Sequence, residues 1–306
     1  MAWKEFKKGK KSRVDVQEFE FNLEDNLFQL QRELTVKTYQ HSNYTSFYIK
    51  DPKLRLINKA CVRDRVLHHA IFRVLYQIFD KSFVHDSYSC RLGKGTHKAV
   101  NRLERFSLKL SKNNKDNFFC LKCDVKKFFD SINQNILLKL MERKIEDNDT
   151  LWLVEKIVKS FDKGLPLGNV TSQLFANIYL NELDQFVKHN LKEKYYLRYC
   201  DDFLILSCDK NELLKLIKPL NEFLKTNLNL LLHPNKIILR KYSQGIDFLG
   251  YVVRPHYRAL RTKTKRRILR KAEKGKITEL NLPSYFGVLG HCRGHAIRQL
   301  IIKSLV

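Results

Sequence analysis

Apolar positions recur along the chain at helical spacing in several segments. Leu23, Leu27, Leu30 and Leu34 would share one face of a helix over 24–36. A second helix is predicted over 63–79, with its buried stripe formed by Val66, Leu67, Ala70, Val74, Leu75 and Ile78. The same spacing predicts further helices from Ser131, over 150–161, from Thr171 as an N-cap residue, and over 211–228.

Shorter apolar runs bounded by turn residues predict strands. They cover 45–49 and 54–57 around an Asp51-Pro52 turn, then 118–125, a strand–turn–strand over 195–208, and strands within 236–254. The middle of the chain therefore has the split β-α-β-β-α-β order. This order predicts an α+β fold whose antiparallel sheet carries helices on one face.

The charge balance points to a polyanionic partner. The chain has 58 Lys and Arg against 32 Asp and Glu, a net charge of +26 in 306 residues. Because such an excess repels itself, nucleic acid is the first expectation and an anionic membrane surface the second. A tail over 258–306 is expected to be a basic helix, carrying Arg258, Arg261, Lys263, Lys265, Arg266, Arg267, Arg270 and Lys271. This helix would either contact phosphates or be a solvated cationic surface.

Compartment signals favour a cytoplasmic protein with reduced cysteines. No stretch reaches 18 uninterrupted apolar residues, and the basic start lacks the apolar core of a secretory signal. That start would be a nucleic-acid arm or a solvated end. Of seven cysteines, only Cys120 and Cys123 have metal-ligand spacing. Because no second pair follows, packing along a strand is favoured over zinc binding.

Three aspartates carry the candidate chemistry. Asp201 and Asp202 lie between apolar runs, where two buried carboxylates are costly unless a cation compensates them. Asp124 ends another apolar run, so neighbouring strands would let Asp124 and Asp201 share two ions about 3.5–4 Å apart, suited to phosphoryl transfer. An Asp-Asp pair taken alone is more typical of an ordinary hairpin turn. The set of three favours a metal site.

Several segments resemble the motifs of reverse transcriptases, in the order in which that family has them. Tyr199-Cys-Asp-Asp202 resembles the Tyr-x-Asp-Asp box, 124–130 the first catalytic motif, and 164–173 (Gly-Leu-Pro-Leu-Gly-Asn-Val-Thr-Ser-Gln) the substrate-positioning loop. The other matching blocks are Lys53-Leu-Arg55, Arg63-Asp-Arg65, 87–96, His233-Pro-Asn-Lys236 and Phe248-Leu-Gly-Tyr251. The resemblance covers roughly residues 45–255.

This resemblance implies an RNA-directed DNA polymerase with fingers (1–115), palm (116–257) and a short thumb (258–306). Catalysis would use Asp124, Asp201 and Asp202, with two Mg²⁺ ions, for which Mn²⁺ could substitute, held by these residues and Val125. Asp202 would either bind metal or only support the site. Substrate contacts would come from Lys53, Arg55, Arg91, Phe129, Leu167, Gly168, Gln173 and Lys236. Nucleic-acid contacts would come from Arg261, Lys263, Lys265, Arg266, Arg267 and Arg270.

Several of these residues have an alternative role. Phe129 would exclude the ribose 2′-OH or pack in the core, and Asp130 would cap the following helix. Lys53 and Arg55 would grip the triphosphate, and Lys236 would supply charge or a proton to pyrophosphate, although each could be a surface cation.

The loop also favours a subtype. Leu167 stands where most reverse transcriptases have Gln, as in the diversity-generating retroelement enzymes, which are linked to error-prone copying at template adenines. Losing an amide removes polar contacts near the nascent pair. Expected partners are template RNA, the RNA/cDNA duplex, deoxynucleoside triphosphates and a small basic accessory protein. The alternatives are a defence-associated enzyme, a non-catalytic RNA-binding component, or an intron enzyme. The end at Val306, with no room for DNA-binding or endonuclease modules, counts against a full intron protein.

Overall fold

The structure is a computed structural model that describes residues 1–50 and 54–304. Lys53 therefore lies outside the described residues. The helices are α1 (Ala2–Lys7), α2 (Val14–Phe21), α3 (Leu23–Thr35), α4 (Val62–Phe79), α5 (Thr96–Leu110), α6 (Phe128–Ser131), α7 (Gln134–Glu142), α8 (Asn148–Val158), α9 (Val170–Gln185), α10 (Lys210–Leu228), α11 (Thr262–Glu273), α12 (Leu282–Leu289) and α13 (His295–Lys303). The strands are β1 (Thr45–Lys50), β2 (Leu54–Lys59), β3 (Phe119–Asp124), β4 (Tyr196–Tyr199), β5 (Asp202–Ser207), β6 (Ile238–Lys241), β7 (Ile246–Phe248), β8 (Tyr251–Arg254) and β9 (Tyr257–Leu260).

Two compact units, each assembled from separate chain segments, make up the chain. The first unit comprises Met1–His85, Val125–Phe186 and Glu222–Leu231. The second unit comprises Asp86–Asp124, Val187–Asn221 and Leu232–Val306.

The first unit is mostly helical, with α4 packed against α1, α2 and α9. Within α4 the predicted stripe is correct for Val66, Leu67 and Leu75, which are buried. It is wrong for Val74 and Ile78, which are 57% and 36% exposed. Helical spacing identifies a face of a helix, but the width of the covered stripe depends on which neighbours pack there. The antiparallel pair β1 and β2 completes this unit.

The helix predicted from Ser131 is divided. α6 ends at Ser131, and α7 begins after Asn133, whose side chain accepts a hydrogen bond from the amide of Ile136. The prediction that Asp130 caps this helix is wrong, because Asp130 lies inside α6 and Asn133 is the capping residue. Thr171 likewise lies inside α9 and not before it, and its hydroxyl is 3.3 Å from Nδ1 of His68.

The second unit contains the predicted sheet. Its strands are ordered β4-β5-β3-β6, and β3 runs antiparallel to both β5 and β6. If these four strands are numbered 1 to 4 in chain order, the sheet order is 2-3-1-4, which reads 4-1-3-2 from the other edge. This is the strand order of a split β-α-β-β-α-β fold. A second antiparallel sheet follows, in the order β7-β8-β9.

One apolar core holds the second unit together. It joins residues of α5, β3, β4 and β5 to residues of β7 to β9 and of α11 to α13, including Leu103, Phe118, Leu204, Phe248 and Ile301. Cys120 belongs to this core, and burial raises the pKa of its thiol and of the Cys123 thiol, the latter to about 12. Both cysteines therefore pack along β3.

The tail is helical only in part. Arg258 lies on β9 and not on a helix, is 9% exposed, and pairs with Glu104 of α5. It belongs to the packing of the second unit because β9 continues the second sheet before α11 begins. Within the part of the chain that the structure describes, none of the helices combines the length and apolar character needed to cross a membrane.

Candidate active site

The candidate carboxylates meet at one end of the first sheet of the second unit. Asp124 is the register partner of Asp202 across β3 and β5. Tyr199 pairs with Asp202, so Cys200 and Asp201 form a two-residue turn between β4 and β5. The expectation that the two strands are neighbours is confirmed by this pairing.

The turn between β4 and β5 is strained at Cys200. This residue has φ 55°, whereas Asp201 is not among the residues with positive φ. A positive φ at the first turn position alone is the type II′ pattern, which is unusual for a residue other than glycine. The completely buried Arg198 donates a hydrogen bond from Nη1 to the Cys200 carbonyl at 3.0 Å. This bond fixes the turn that presents Asp201.

Two lysines neutralise part of the negative charge. Lys236 Nζ donates to Oδ1 of Asp124 at 2.5 Å, and Lys122 Nζ lies 3.0 Å from Oδ2 of Asp202. The structure therefore brings Lys236, predicted from sequence, to the carboxylates. It also adds Lys122, for which the sequence indicates no role.

Two of the carboxylates have raised pKa values. Burial raises the pKa of Asp201, and the charge of Asp124 raises it further. Burial also raises the pKa of Asp202 to about 6, although Lys122 opposes the shift. The raised pKa values of Asp201 and Asp202 mean that added positive charge would stabilise their ionised forms.

The oxygen donors suit a hard divalent cation such as Mg²⁺. Oδ1 of Asp202 is buried and has no hydrogen-bond partner. A buried carboxylate oxygen without a hydrogen-bond donor is the arrangement expected where a bound cation would be its partner. Among residues 1–50 and 54–304, no three His, Cys, Asp or Glu side chains are already arranged around one point as metal ligands. Asp124 and Asp202 are instead engaged by Lys236 and Lys122.

The predicted substrate-positioning loop is fixed inside the first unit. The amide of Leu165 donates to the Phe129 carbonyl at 2.9 Å, and the Leu167 carbonyl accepts from the amide of Asn58 on β2 at 2.9 Å. A Cβ atom on Gly168 would lie 2.8 Å from Cγ2 of Ile57. The structure therefore brings Leu167 and Gly168 against β2, and Leu165 of the same loop against the backbone of Phe129.

A basic pocket of about 350 Å³ lies beside this loop in the first unit. Its lining combines cations, aromatic rings and the end of the loop, namely Phe6, Lys10, Arg13, Phe47, Ile57, Lys59, Arg65, His68, His69, Gly168, Asn169, Val170 and Gln173. Oδ1 of Asn169 is buried without a partner. Burial, as the largest cause, and the charges of Arg65 and Arg13 lower the pKa of Lys10. Crowded cations of this kind favour an anionic ligand.

The other predicted contacts are dispersed. Arg55 is exposed on β2 in the first unit, and Arg91 donates to the Ser87 carbonyl at 3.1 Å in the second. Val125 is buried in the first unit. On α11, Lys263, Lys265, Arg266, Arg267 and Arg270 are exposed or partly exposed. Arg261 precedes this helix and pairs with Asp247.

Lys122 and Arg198 were not predicted from the sequence. Each is a single cation inside an otherwise apolar strand, a few residues before a candidate carboxylate. A charged residue within a buried strand needs a partner. That pattern in the sequence indicates that Lys122 and Arg198 have partners, but it does not indicate which residues the partners are.

Sites that hold two divalent ions are found in enzymes that act on phosphate esters, such as phosphatases, polymerases and nucleases. The family described as reverse transcriptase (RNA-dependent DNA polymerase) matches residues 49–253. The chain belongs to this family.

Curated relatives include Protein YkfC and several intron proteins. Protein YkfC of Escherichia coli is 26% identical, over 72% of this chain and 69% of its own length. The group II intron-encoded protein LtrA of Lactococcus lactis is 24% identical, over 76% of this chain and 50% of its own length. The putative COX1/OXI3 intron 2 protein of Saccharomyces cerevisiae is 22% identical, over 63% of this chain but only 29% of its own length.

Solved structures with a similar fold include telomerases. The telomerase of Candida albicans, in complex with a fragment of telomeric RNA, has a TM-score of 0.56 at 14% identity, covering 89% of this chain and 55% of that one. Apo telomerase of Candida tropicalis, truncated from its C-terminal domain, has a TM-score of 0.54 at 17% identity, covering 70% and 54%. These similarities support the mixed helix and sheet fold.

Proposed function

We propose that the chain is an RNA-directed DNA polymerase that makes cDNA from deoxynucleoside triphosphates on an RNA template. The observation that carries the proposal is the meeting of Asp124, Asp201 and Asp202 at one end of a sheet, in a chain of the reverse transcriptase family. In this proposal the chain is divided into fingers (1–115), palm (116–257) and thumb (258–306).

The proposed chemistry is a two-metal phosphoryl transfer. Asp124, Val125, Asp201 and Asp202 would hold two Mg²⁺ ions, which when bound lower the barrier for attack by the primer 3′-oxygen and for loss of pyrophosphate. Lys236 would release Asp124 in part and offer its Nζ proton to the pyrophosphate oxygen. Phe129 would exclude a ribose 2′-OH, so that deoxynucleotides are selected.

The basic pocket supports an RNA partner. Its cations would neutralise template phosphates, and Phe47 offers a ring on which a base can stack. The exposed cations of α11 would contact the RNA/cDNA duplex without reading its sequence. Arg55, Arg91 and Gln173 would contact nucleotide or template, and Lys53 is proposed to join Arg55 on the triphosphate.

The test is primer extension with the double variant Asp201→Asn, Asp202→Asn. Incorporation of labelled thymidine triphosphate on a poly-A template should fall by about 1000-fold or more, since transition-state charge stabilisation is lost. RNA affinity should stay within about twofold. Retained incorporation in this variant would contradict the mechanism.

The competing candidate is a non-catalytic RNA-binding component. It predicts RNA binding by the wild-type protein without primer extension under any divalent-ion condition. Three clustered carboxylates count against it, because they repel a polyanion unless cations cover them.

A finer proposal concerns fidelity and places the chain with the diversity-generating retroelement enzymes. It rests on Leu167, an alkyl side chain at the loop position where an amide would offer polar contacts. Such an enzyme would act with a structured RNA and a small basic accessory protein. The relatives found include intron-encoded proteins, so an intron-type enzyme is the alternative.

Sequencing cDNA made on an adenine-containing template tests this fidelity proposal. The wild type should misincorporate opposite adenine, and Leu167→Gln should lower that error rate by about tenfold, since one polar contact is worth roughly 1–2 kcal/mol. The matched control is Leu165→Met, a change within the same loop at a buried apolar position. Faithful copying by the wild type would remove the mutagenic subtype and leave the polymerase proposal intact.

A further inference from the structure

Lys122 is an unusual residue in β3. It lies two residues before Asp124, so the two side chains point to the same side of the strand, while Leu121 and Cys123 point to the other side and are buried. The Lys122 side chain is 19% exposed. A lysine so enclosed must find partners for its ammonium group.

Its partners come from two different sheets of the second unit. Nζ lies 3.0 Å from Oδ2 of Asp202 on β5. The same atom donates to the backbone carbonyl of Asp247 on β7 at 3.1 Å, and it lies 5.8 Å from the centre of the Phe248 ring. Lys122 therefore connects a candidate metal ligand to the β7–β8 hairpin.

The two oxygens of Asp202 are thereby distinguished. Oδ2 is engaged by Lys122, whereas Oδ1 is buried without a partner. A carboxylate with one oxygen fixed can offer only the other to a cation, in one orientation. Without Lys122, the group could rotate and bind a cation through both oxygens.

The hairpin that receives Lys122 is itself anchored. Nε of Arg261 donates to Oδ1 of Asp247 at 2.7 Å, and the Arg261 amide donates to the Gly250 carbonyl at 2.9 Å. Arg261 is the residue before α11. The Asp247 backbone that accepts the hydrogen bond from Lys122 is therefore held in place through the Asp247 carboxylate and at the β7–β8 turn.

We propose that Lys122 is a positioning residue that fixes Asp202 in a single orientation against the β7–β8 hairpin, so that Oδ1 alone faces a metal ion. The inference rests on the proposed polymerase function and deepens it. Lys122 acts through Asp202 and does not touch the substrate. It differs from a simple countercharge because its bond to a backbone carbonyl fixes position as well as charge.

The experiment compares Lys122→Met, Lys122→Arg and the control Lys115→Met, which removes the same charge from an exposed position of the second unit. Two quantities are measured: primer extension with saturating Mg²⁺, and Mn²⁺ affinity of the protein without nucleotide or nucleic acid. Melting temperature and primer–template affinity are measured for each variant to verify folding.

Lys122→Met should lower kcat by about tenfold to hundredfold, because a misplaced group costs this much, while KM for the nucleotide changes by about twofold or less. Mn²⁺ should bind this variant about threefold tighter or more, since a cation is removed and Oδ2 is freed. Lys122→Arg should leave kcat about fivefold below that of the wild type with Mn²⁺ affinity near the wild-type value, because a planar fork cannot reproduce the geometry of an ammonium group. Lys115→Met should match the wild type.

Two results would overturn the proposal. One is an unchanged kcat or unchanged Mn²⁺ affinity in folded Lys122→Met. The other is full activity in Lys122→Arg, which would make Lys122 a countercharge only and which decides the matter even if Lys122→Met does not fold. A wild-type protein that extends no primer contradicts the proposed function instead, and the Mn²⁺ measurement still tests how Lys122 constrains Asp202.

Discussion

Single residues of the first unit fix the backbone of the 164–173 loop. Gly164 has φ +68°, and a Cβ atom there would lie 2.2 Å from the Phe129 carbonyl oxygen. Glycine is required twice over, for the left-handed conformation and for the close approach. The hydrogen bond between Leu165 and Phe129 depends on that approach.

Gly164→Ala is therefore expected to destabilise the protein by about 3 kcal/mol or more, because strain and a backbone clash combine. Gly93→Ala is the matched control. Gly93 has φ +70°, but a Cβ atom there would meet nothing within 4 Å, so only the roughly 1–2 kcal/mol of left-handed strain applies. Urea unfolding monitored by circular dichroism measures both. Equal losses of unfolding free energy in the two variants would show that the clash with Phe129 adds nothing to the left-handed strain.

The pairing of charged residues is also decided at this scale. The sequence shows Lys122, Lys236 and Arg198 but not which groups they meet. Lys122 and Asp202 are far apart in the chain, and only the strand pairing creates their 3.0 Å contact. Such contacts are outside the reach of local pattern.

At the scale of elements, helical spacing predicted α3, α4, α8 and α10 to within a few residues. The errors lie at the ends and in the width of the buried faces. α7 begins at Gln134 because Asn133 satisfies an amide of its first turn, and not because of Asp130. Which of several possible residues caps a helix depends on the position that the preceding chain takes in the tertiary structure.

One contact that α4 makes within the first unit gives a pH dependence. His68 on α4 is 1% exposed, and its Nε2 lies 3.2 Å from Nε2 of His41. A hydrogen bond between these two nitrogens requires that at least one of the two rings is neutral. Burial first, and then the charge of His41, lower the pKa of His68 to about 3. The folded state therefore binds fewer protons than the unfolded state below pH 6.5 or so.

Stability should accordingly fall as the pH drops from about 6.5 towards 3, since protons bind the unfolded chain preferentially in that window. Between pH 7 and pH 5 the loss from His68 is about 2 kcal/mol. His68→Gln should flatten this dependence, whereas Gln at the exposed His256 should not. Unfolding free energies at the two pH values measure the effect, and an unchanged slope in His68→Gln would contradict it.

For the whole molecule, the +26 net charge is the dominant physical property. Its contribution to binding should appear as salt dependence, because each phosphate contact releases counterions. On α11, Lys263, Arg266 and Arg270 are spaced for one face, and none of the three is buried. If this face contacts the duplex, it should account for a measurable part of that dependence.

Replacing Lys263, Arg266 and Arg270 with Gln should reduce the slope of log affinity against log salt by about 2 to 3 for an RNA/DNA duplex. The control replaces the exposed Lys210, Lys215 and Lys225 of α10, which removes the same charge from another surface. Fluorescence anisotropy at several salt concentrations gives the slopes. Identical slopes for the two triple variants would show that α11 acts only through net charge.

The sequence by itself determined the α+β class, the order of strands and helices, the family motifs and the basic character of the chain. These follow from periodicity and residue type, which are local properties. The tertiary structure alone decided which side chains meet: Asp124 opposite Asp202, Lys236 on Asp124, Lys122 between two sheets, and Arg258 buried against Glu104. The reason is that strand register and packing set the distances between residues far apart in the chain, and no local pattern contains them.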